Sequence, residues 1–329
     1  MPFGPRTTKD LVEEALFARR RDLFGRLLDF FDTTSLAFHG AGGQTLGQHG
    51  YSRGHRPDLR QMVVGVVLDG DGQPVCSELW PGTVTDVRTL VPVVDRLRRS
   101  FPVGEICVVA ERGLLSASTI AAVEARGWGY ILGVRLRSST EAREVVRTHE
   151  GHFRTVYPRR HGATDTAPLR VKQVWREDRR YLVCVNPDEA EQDREDRAAI
   201  LAALTQALAR GDKALVRNQG FRRFLKTQGQ RFAIDEAKVA ADAAYDGTWV
   251  LRTKADLPMD VVALAYNELW QVEALFRSMK AVLKTRPIDH QRDETIRGHV
   301  FCSFLARLLR HMNSTGAWRG AAGRWHGLT

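Results

Sequence analysis

The sequence predicts an α/β protein in which a mixed sheet carries helices on its faces and an α+β insertion domain interrupts the core. Three observations lead there. Three apolar runs with strand composition precede the first strongly helical stretch of the core, and two of them flank Asp69-Gly70-Asp71-Gly72, a tight-turn sequence. Helical and strand patterns then alternate, as they do where parallel strands are joined by crossovers. From residue 136 to 247 that alternation gives way to a strand pair, a charged helix and short segments with no repeating unit.

The elements follow in order. Residues 9 to 28 are helical in pattern, and the run Arg19-Arg20-Arg21 suits a solvated helix face. Residues 30 to 38 read as a strand, since Phe31, Thr33, Ser35 and Ala37 alternate with Asp32, Thr34, Leu36 and Phe38. The loop "GAGGQTLGQHGYSRGHRPDLR" lacks the lysine pattern of a phosphate loop. Its His49, His55 and Asp58 have no cysteine partner or tight ligand spacing, and its arginines make it a basic loop. The hairpin "QMVVGVVLDGDGQPVCSELWPG" comes next. Thr85 is placed to cap a helix whose apolar face is Leu90, Val93, Val94 and Leu97. "EICVVAE" is a buried strand that ends on Glu111. "SASTIAAVEARG" is a helix closed by Gly127, and "WGYILGVRL" is a strand.

Within the insertion, "APLRVKQVW" and "RYLVCVNP" form a strand pair before a charged helix. "TWVLRT" returns to strand. "LPMDVVALAYNELWQVEALFRSMKAVL" reads as the longest helix, with apolar residues at three-and-four spacing. "ETIRGHVFCSFLARLLRHM" is the last helix. The expected organisation is an N-terminal helical segment (1–28), the first part of the core (29–135), the insertion (136–247), the second part of the core (248–310) and a disordered tail (311–329).

A net charge of +10 and a pI near 9.8 suit a polyanionic partner, nucleic acid being the commonest. Such a charge also occurs in soluble proteins with no such partner. The four cysteines are far apart and form no C-x-x-C pair, which predicts reduced thiols and a cytoplasmic protein. No run of about eighteen apolar residues predicts a membrane helix.

Three acids carry the chemistry: Asp32 in the first strand, Glu111 at the end of the fourth and Glu273 in the long helix. If the first and fourth strands pair, two of these acids are neighbours, and a helix across that edge brings the third. Converging carboxylates need a cation to stay ionised, and hard oxygen donors suit Mg²⁺ or Mn²⁺. Two such ions can clamp the attacking and leaving oxygens of a phosphodiester. For Glu273 a surface pair with Arg277 is the competing reading. Tyr266, Glu273 and Lys280 are spaced by seven and share one face of a straight helix, with Arg277 and Lys284 on or near it. Such a stripe resembles a metal ligand flanked by phosphate contacts, and equally the polar face of a plain amphipathic helix.

The pieces "FFDTTSLAF", "ELWPGTVTDVRTLVPVVDRLR", "VVAERGLLSASTI", "DGTWVLRT" and "YNELWQVEALFRSMKAVLKTRPIDHQRDETIRGHVFCSFLA", in this order, resemble the DDE transposases of bacterial insertion sequences, in the group with a Tyr-Arg-Glu-Lys signature. The likeness runs from about residue 11 to 310. It implies a ribonuclease-H-like core with an insertion between the second and third acids. It implies Asp32, Glu111 and Glu273 as the ligands of two Mg²⁺ or Mn²⁺ ions, and Tyr266 and Lys280 as contacts to the transposon-end DNA; the signature's arginine contact is either missing or supplied by Arg277, and Arg277 and Lys284 of the basic stripe are further candidate phosphate contacts. The partners implied are double-stranded transposon ends and target DNA, with a homodimer as the active form and a nucleoid-associated location in a bacterial cytoplasm. Two departures stand out. The signature's arginine position is Leu269, and the second acid, aspartate in the family, is Glu111. The residues after Arg310 are unlike the family's continuation, as a shifted frame would make them. Two functions are therefore expected: a transposase that cuts and joins DNA, or an impaired copy that only binds DNA or interferes with an intact transposase.

Overall fold

A computed structural model describes residues 6–18, 27–51, 56–101, 106–114, 116–137, 139–148, 150–157, 168–211, 219–228, 231–283 and 285–314. The chain divides into two compact units. The first comprises residues 1–133, 253–257 and 264–329, and the second residues 134–252 and 258–263.

The first unit is built on β1 (Leu27–Ala37), β2 (Gln61–Leu68), β3 (Pro74–Pro81), β4 (Ile106–Ala110) and β5 (Gly129–Val134), in the order β3-β2-β1-β4-β5. β1, β2 and β3 form an antiparallel meander, while β4 pairs parallel with both β1 and β5. This is the mixed, ribonuclease-H-like sheet expected from the sequence. The Asp-Gly turn forms as expected. The Asp69 carboxylate accepts from the Asp71 and Gln73 amides, and β2 is buried along its whole length, as a strand paired on both sides should be.

One face of this sheet carries the main core. Phe31, Val67, Val108, Ala110, Tyr130 and Leu132 pack with Leu90, Val93, Val94 and Leu97 of α2 (Leu90–Ser100) and Val123 of α3 (Ala117–Ala125). α1 (Thr8–Ala18) adds Phe17 to the same cluster. α3 begins on Ser116, whose hydroxyl accepts from the Thr119 amide, and ends before Gly127 at φ +69, a left-handed closing residue.

In the second unit, β6 (Arg154–Val156), β7 (Leu169–Arg176), β8 (Arg179–Val185) and β11 (Thr248–Thr253) lie in the order β11-β8-β7-β6. α4 (Thr140–Arg147) covers a core of Leu136, Val145, Val174, Tyr181, Val183 and Val250. The charged helix α5 (Pro187–Ala209) starts from Asn186, whose side chain accepts from the Asp188 amide. Its Arg197 is held by the Asp246 carboxylate. α6 (Gln219–Arg222), the hairpin of β9 (Leu225–Gln228) and β10 (Arg231–Ile234), and α7 (Glu236–Ala243) complete the unit.

The remaining helices are α8 (Met259–Asn267), α9 (Trp270–Ala281) and α10 (Asp293–Ser314). Several expectations are corrected here. The expected longest helix is two helices, α8 and α9, broken at Glu268–Leu269. There the Leu269, Gln271 and Val272 amides bond three residues back, so the chain tightens locally. Among the described residues the longest helix is α5, with 23 residues. Leu27 and Leu28 belong to β1, not to the N-terminal helix, because they pair with Ile106 and Cys107 of β4. Residues 19–26, with the arginine run, lie outside the described residues. A single 3-10 turn at Asp86–Arg88 precedes α2, and Thr85 makes no side-chain capping bond. α10 runs to Ser314, two residues past the expected end of the last helix at Met312 and into the expected tail, and 315–329 lie outside the described residues. Three cysteines are buried, but Cys302 is exposed.

Candidate active site

β1 and β4 run parallel, and their last paired residues are Phe31 and Ala110. β4 and β5 run parallel, and their last pair is Ala110 with Leu132. One step further along each strand stand Asp32, Glu111 and Gly133. The three positions thus lie level with the carboxyl end of β4, Asp32 in the middle of β1 and Gly133 near the end of β5, and strand carboxyl ends are where open α/β sheets place their sites.

Alternation decides which face they take. Phe31, Ala110 and Leu132 belong to the α2 core. Within β1 and β5 the next residues, Asp32 and Gly133, take the opposite face, the one that α9 covers; Glu111 follows the end of β4, directly before a 3-10 turn at Arg112–Leu114. Two contacts fix how α9 lies there. At its start, the Gln271 side chain packs on Gly72 of the β2–β3 turn, leaving no room for a Cβ. Near its end, the Lys280 ammonium donates to Thr34 Oγ1 on β1. Nine helical residues span about 13.5 Å. The hairpin turn starts level with Phe30, since Leu68 pairs with it, and Phe30 to Thr34 spans about 13 Å of strand. The helix therefore lies along β1. Glu273, one heptad before Lys280, comes level with the stretch around Phe31 and Asp32.

Asp32 is half-buried, whereas Glu111 and Glu273 are exposed. The buried flank of α9 is Val272, Leu275, Phe276 and Met279. That apolar stripe takes the sheet, so Glu273 stands on the flank rather than under the helix. Among the described residues, no group of three or more His, Cys, Asp or Glu side chains is close enough together to hold a metal ion. In donor chemistry, the three carboxylates suit a hard divalent cation. In position, two lie on adjacent strands and the third on the helix across the same face.

The four expected DNA contacts fare differently. Tyr266, on α8, places its hydroxyl over Gly133. Arg277 is exposed on α9. Lys280 is half-buried with its ammonium on Thr34, so it ties the helix to the strand. Lys284 lies outside the described residues. A two-residue turn at Glu268–Leu269 lies between Tyr266, on α8, and Glu273 and Lys280, on α9. Leu269, at the family's arginine position, is only 7% exposed and is a core residue. Sequence reasoning did not single out Gly133 or Thr34 as site residues. A bare strand position and a strand threonine show a role only when the element above them is known.

The family described as the transposase DDE domain matches residues 26–309. Among solved structures, the chain is similar to the Mos1 transposase paired-end complex with left transposon end, at 10% identity and a TM-score of 0.21. That match covers 40% of this chain and 44% of the Mos1 chain, so this chain spans less than half the length of that relative. No curated protein matches.

Proposed function

This chain belongs to the transposase DDE domain family, and from that premise we propose that it is a DNA transposase whose Asp32, Glu111 and Glu273 serve a single site for cutting and joining phosphodiesters. What supports the reading is the strand register: Asp32 and Glu111 follow the last pair of two parallel strands, on the face crossed by the helix that bears Glu273. Members of this family generally use divalent metal ions. Held by Asp32 and Glu111, with Glu273 turning in from its helix, such an ion would supply Lewis-acid charge at a phosphate oxygen.

The chain's own residues do the rest. Asp32, fixed in a strand paired on both sides, sets where the phosphate must lie. Lys280, through Thr34, keeps α9 against β1 and so keeps Glu273 level with Asp32. Arg277 presents a guanidinium on the exposed flank beside Glu273, placed for the DNA backbone. Water attacks the phosphodiester at a transposon end and releases a 3′ hydroxyl, which then attacks a target phosphodiester and displaces the 3′ oxygen of the target strand as the new bond forms. The second unit is the insertion between Glu111 and Glu273.

The test is metal-dependent nicking of a duplex that carries the inverted repeats flanking the gene. Asp32→Asn and Glu273→Gln should each abolish nicking and leave salt-sensitive binding in place. Nicking that survives both substitutions sinks the assignment. A second reading, a DNA-binding copy with impaired catalysis, is favoured by Glu111, whose extra methylene moves the carboxylate outward from the strand end. It predicts binding to the same ends with no nicking by the natural chain.

A further inference from the structure

We propose that His290 and His299 form a second metal site, different in its donors from the carboxylates, in which two imidazoles hold one divalent ion of borderline softness such as Zn²⁺. Both rings line a cavity of about 530 Å³, together with Thr295, Cys302 and Ser303 among others. The inference does not depend on the reading of the carboxylates.

The geometry comes first. His290 stands in the segment between α9 and α10, and His299 stands on α10. Their ring centroids are 5.1 Å apart and their planes cross at 66°. Two imidazoles on one tetrahedral ion, each with a Zn–N distance of about 2.0–2.1 Å, have their centroids about 5.2 Å apart. Plain edge-to-face packing of two rings allows the same separation, so the distance by itself does not choose. The nitrogen does. His299 Nε2 is buried and has no hydrogen-bond partner among the described residues. A buried polar atom is normally satisfied, and ring packing leaves this one unsatisfied. A bound ion satisfies it, and the cavity that both rings line gives the ion room.

The donors select the ion. Neutral imidazole suits Zn²⁺ and its neighbours, whereas Mg²⁺ takes oxygen ligands. Among the described residues that line the cavity there is no Lys or Arg, so no fixed cation there opposes a second one. Cys302 is exposed and lines the same cavity. Among the described residues, however, no third His, Cys, Asp or Glu stands close enough to complete a set of three. The two imidazoles therefore hold the ion, and water takes its other positions. The ion ties two elements together. The segment that bears His290 is already fixed to the end of β1, where the Ile288 amide donates to the Ala37 carbonyl at 3.2 Å and the His39 amide donates to the Ile288 carbonyl at 3.0 Å. Joining His290 to His299 fastens α10 to that segment, which is a structural role.

The experiment is a Zn²⁺ titration of the full chain after a chelator has stripped it of metal, followed by calorimetry and by thermal unfolding. It compares the natural chain, His290→Gln, His299→Gln, the double variant and Cys302→Ala, with Mg²⁺ as the control ion. Other histidines of the chain can take Zn²⁺ weakly, and the double variant measures that background. Above it, the natural chain should bind one Zn²⁺, and its Tm should rise with Zn²⁺ concentration and not with Mg²⁺. Changes outside the ligands themselves already cost about 10–100-fold in metal affinity, so each glutamine variant should lose at least about tenfold. The double variant should be little worse than either, and Cys302→Ala should match the natural chain. His290 lies outside any helix or strand, so His290→Gln gives the answer even if His299→Gln does not fold. If both glutamine variants bind Zn²⁺ as the natural chain does, or if the natural chain neither binds it nor is stabilised by it, the two rings are only packed together and the proposal fails. If Cys302→Ala alone removes binding, the thiol is the site and the proposal fails as well. Neither result bears on the transposase reading, which rests on the carboxylates.

Discussion

At the scale of single residues, Glu111 decides most. In the site proposed above it keeps the charge of the family's aspartate but carries the carboxylate one methylene further out. Mg²⁺ requires near-octahedral oxygens at about 2.0–2.1 Å, and a misplacement near 1 Å can cost about a hundredfold in rate. Glu111→Asp should therefore raise metal-dependent nicking by up to about that factor, and Glu111→Ala should remove what remains; equal rates for the natural chain and the Asp variant would mean that the site has adapted to glutamate. Away from the site, Glu13 is fully buried. It accepts from the Ser77 amide and is paired with Arg96 and Lys9. Burial pushes its carboxyl up despite those cations. Asp10, on the same arginine, moves the other way: burial opposes ionisation, but hydrogen bonds from Thr7 and the charge of Arg96 pull it down to about 2. The signs are opposite. Asp10 contributes stability that is present above its ordinary value near 3.8 and is lost as pH falls toward about 2. Glu13 binds its proton more readily folded than unfolded, so it favours the native state as pH falls through its raised value. Glu13→Gln should flatten the stability profile at and above pH 4.5 while leaving the decline below pH 3.8. Melting curves from pH 2 to 7 would show whether it does.

At the scale of elements, the division of one predicted helix into α8 and α9 has the largest effect. A three-and-four apolar spacing continues unbroken across residues 262 to 283, and nothing in it marks Glu268–Leu269 as a turn. The break buries Leu269. Restoring the family's arginine there would put a guanidinium into an apolar site, with the cost of an unpaired buried charge. Leu269→Arg should lower Tm by several degrees and should not strengthen DNA binding; tighter binding at unchanged Tm would mean that the position faces the DNA. The tie between α9 and β1 makes a companion prediction. Thr34→Val and Lys280→Met should be coupled in stability by about 0.5–3 kcal/mol, as residues in contact are, in a double-mutant cycle. Additivity would show that the ammonium does not depend on that hydroxyl.

At the scale of the whole molecule, the net charge of +10 predicts DNA binding that falls steeply with salt. Neutralising one fewer phosphate should reduce the log–log slope by about 0.9. Arg277→Ala, exposed on α9, should remove about one such unit, whereas Lys280→Ala should change the slope less, because its ammonium is bonded to Thr34. Identical slopes for the natural chain and Arg277→Ala would make that flank of the helix a solvated face.

The strands around Asp32 and Glu111 were legible in the sequence because a buried strand declares itself locally, through an apolar run, alternation and an Asp-Gly turn. The same signals placed the acids at a strand centre and a strand end, and the β1–β4 pairing then made them neighbours. Three things were legible only in the tertiary structure. The α8–α9 break forms because helix continuation is decided by what each flank packs against, and apolar spacing is blind to that. Lys280 turned inward because Thr34, 246 residues away in the chain, offered it an oxygen. Gly133 lies under the Tyr266 ring, which comes from a helix far along the chain. Local periodicity sets which face of an element is apolar; which side chain from elsewhere meets the polar face is set by long-range packing, and the candidate site is made of such meetings.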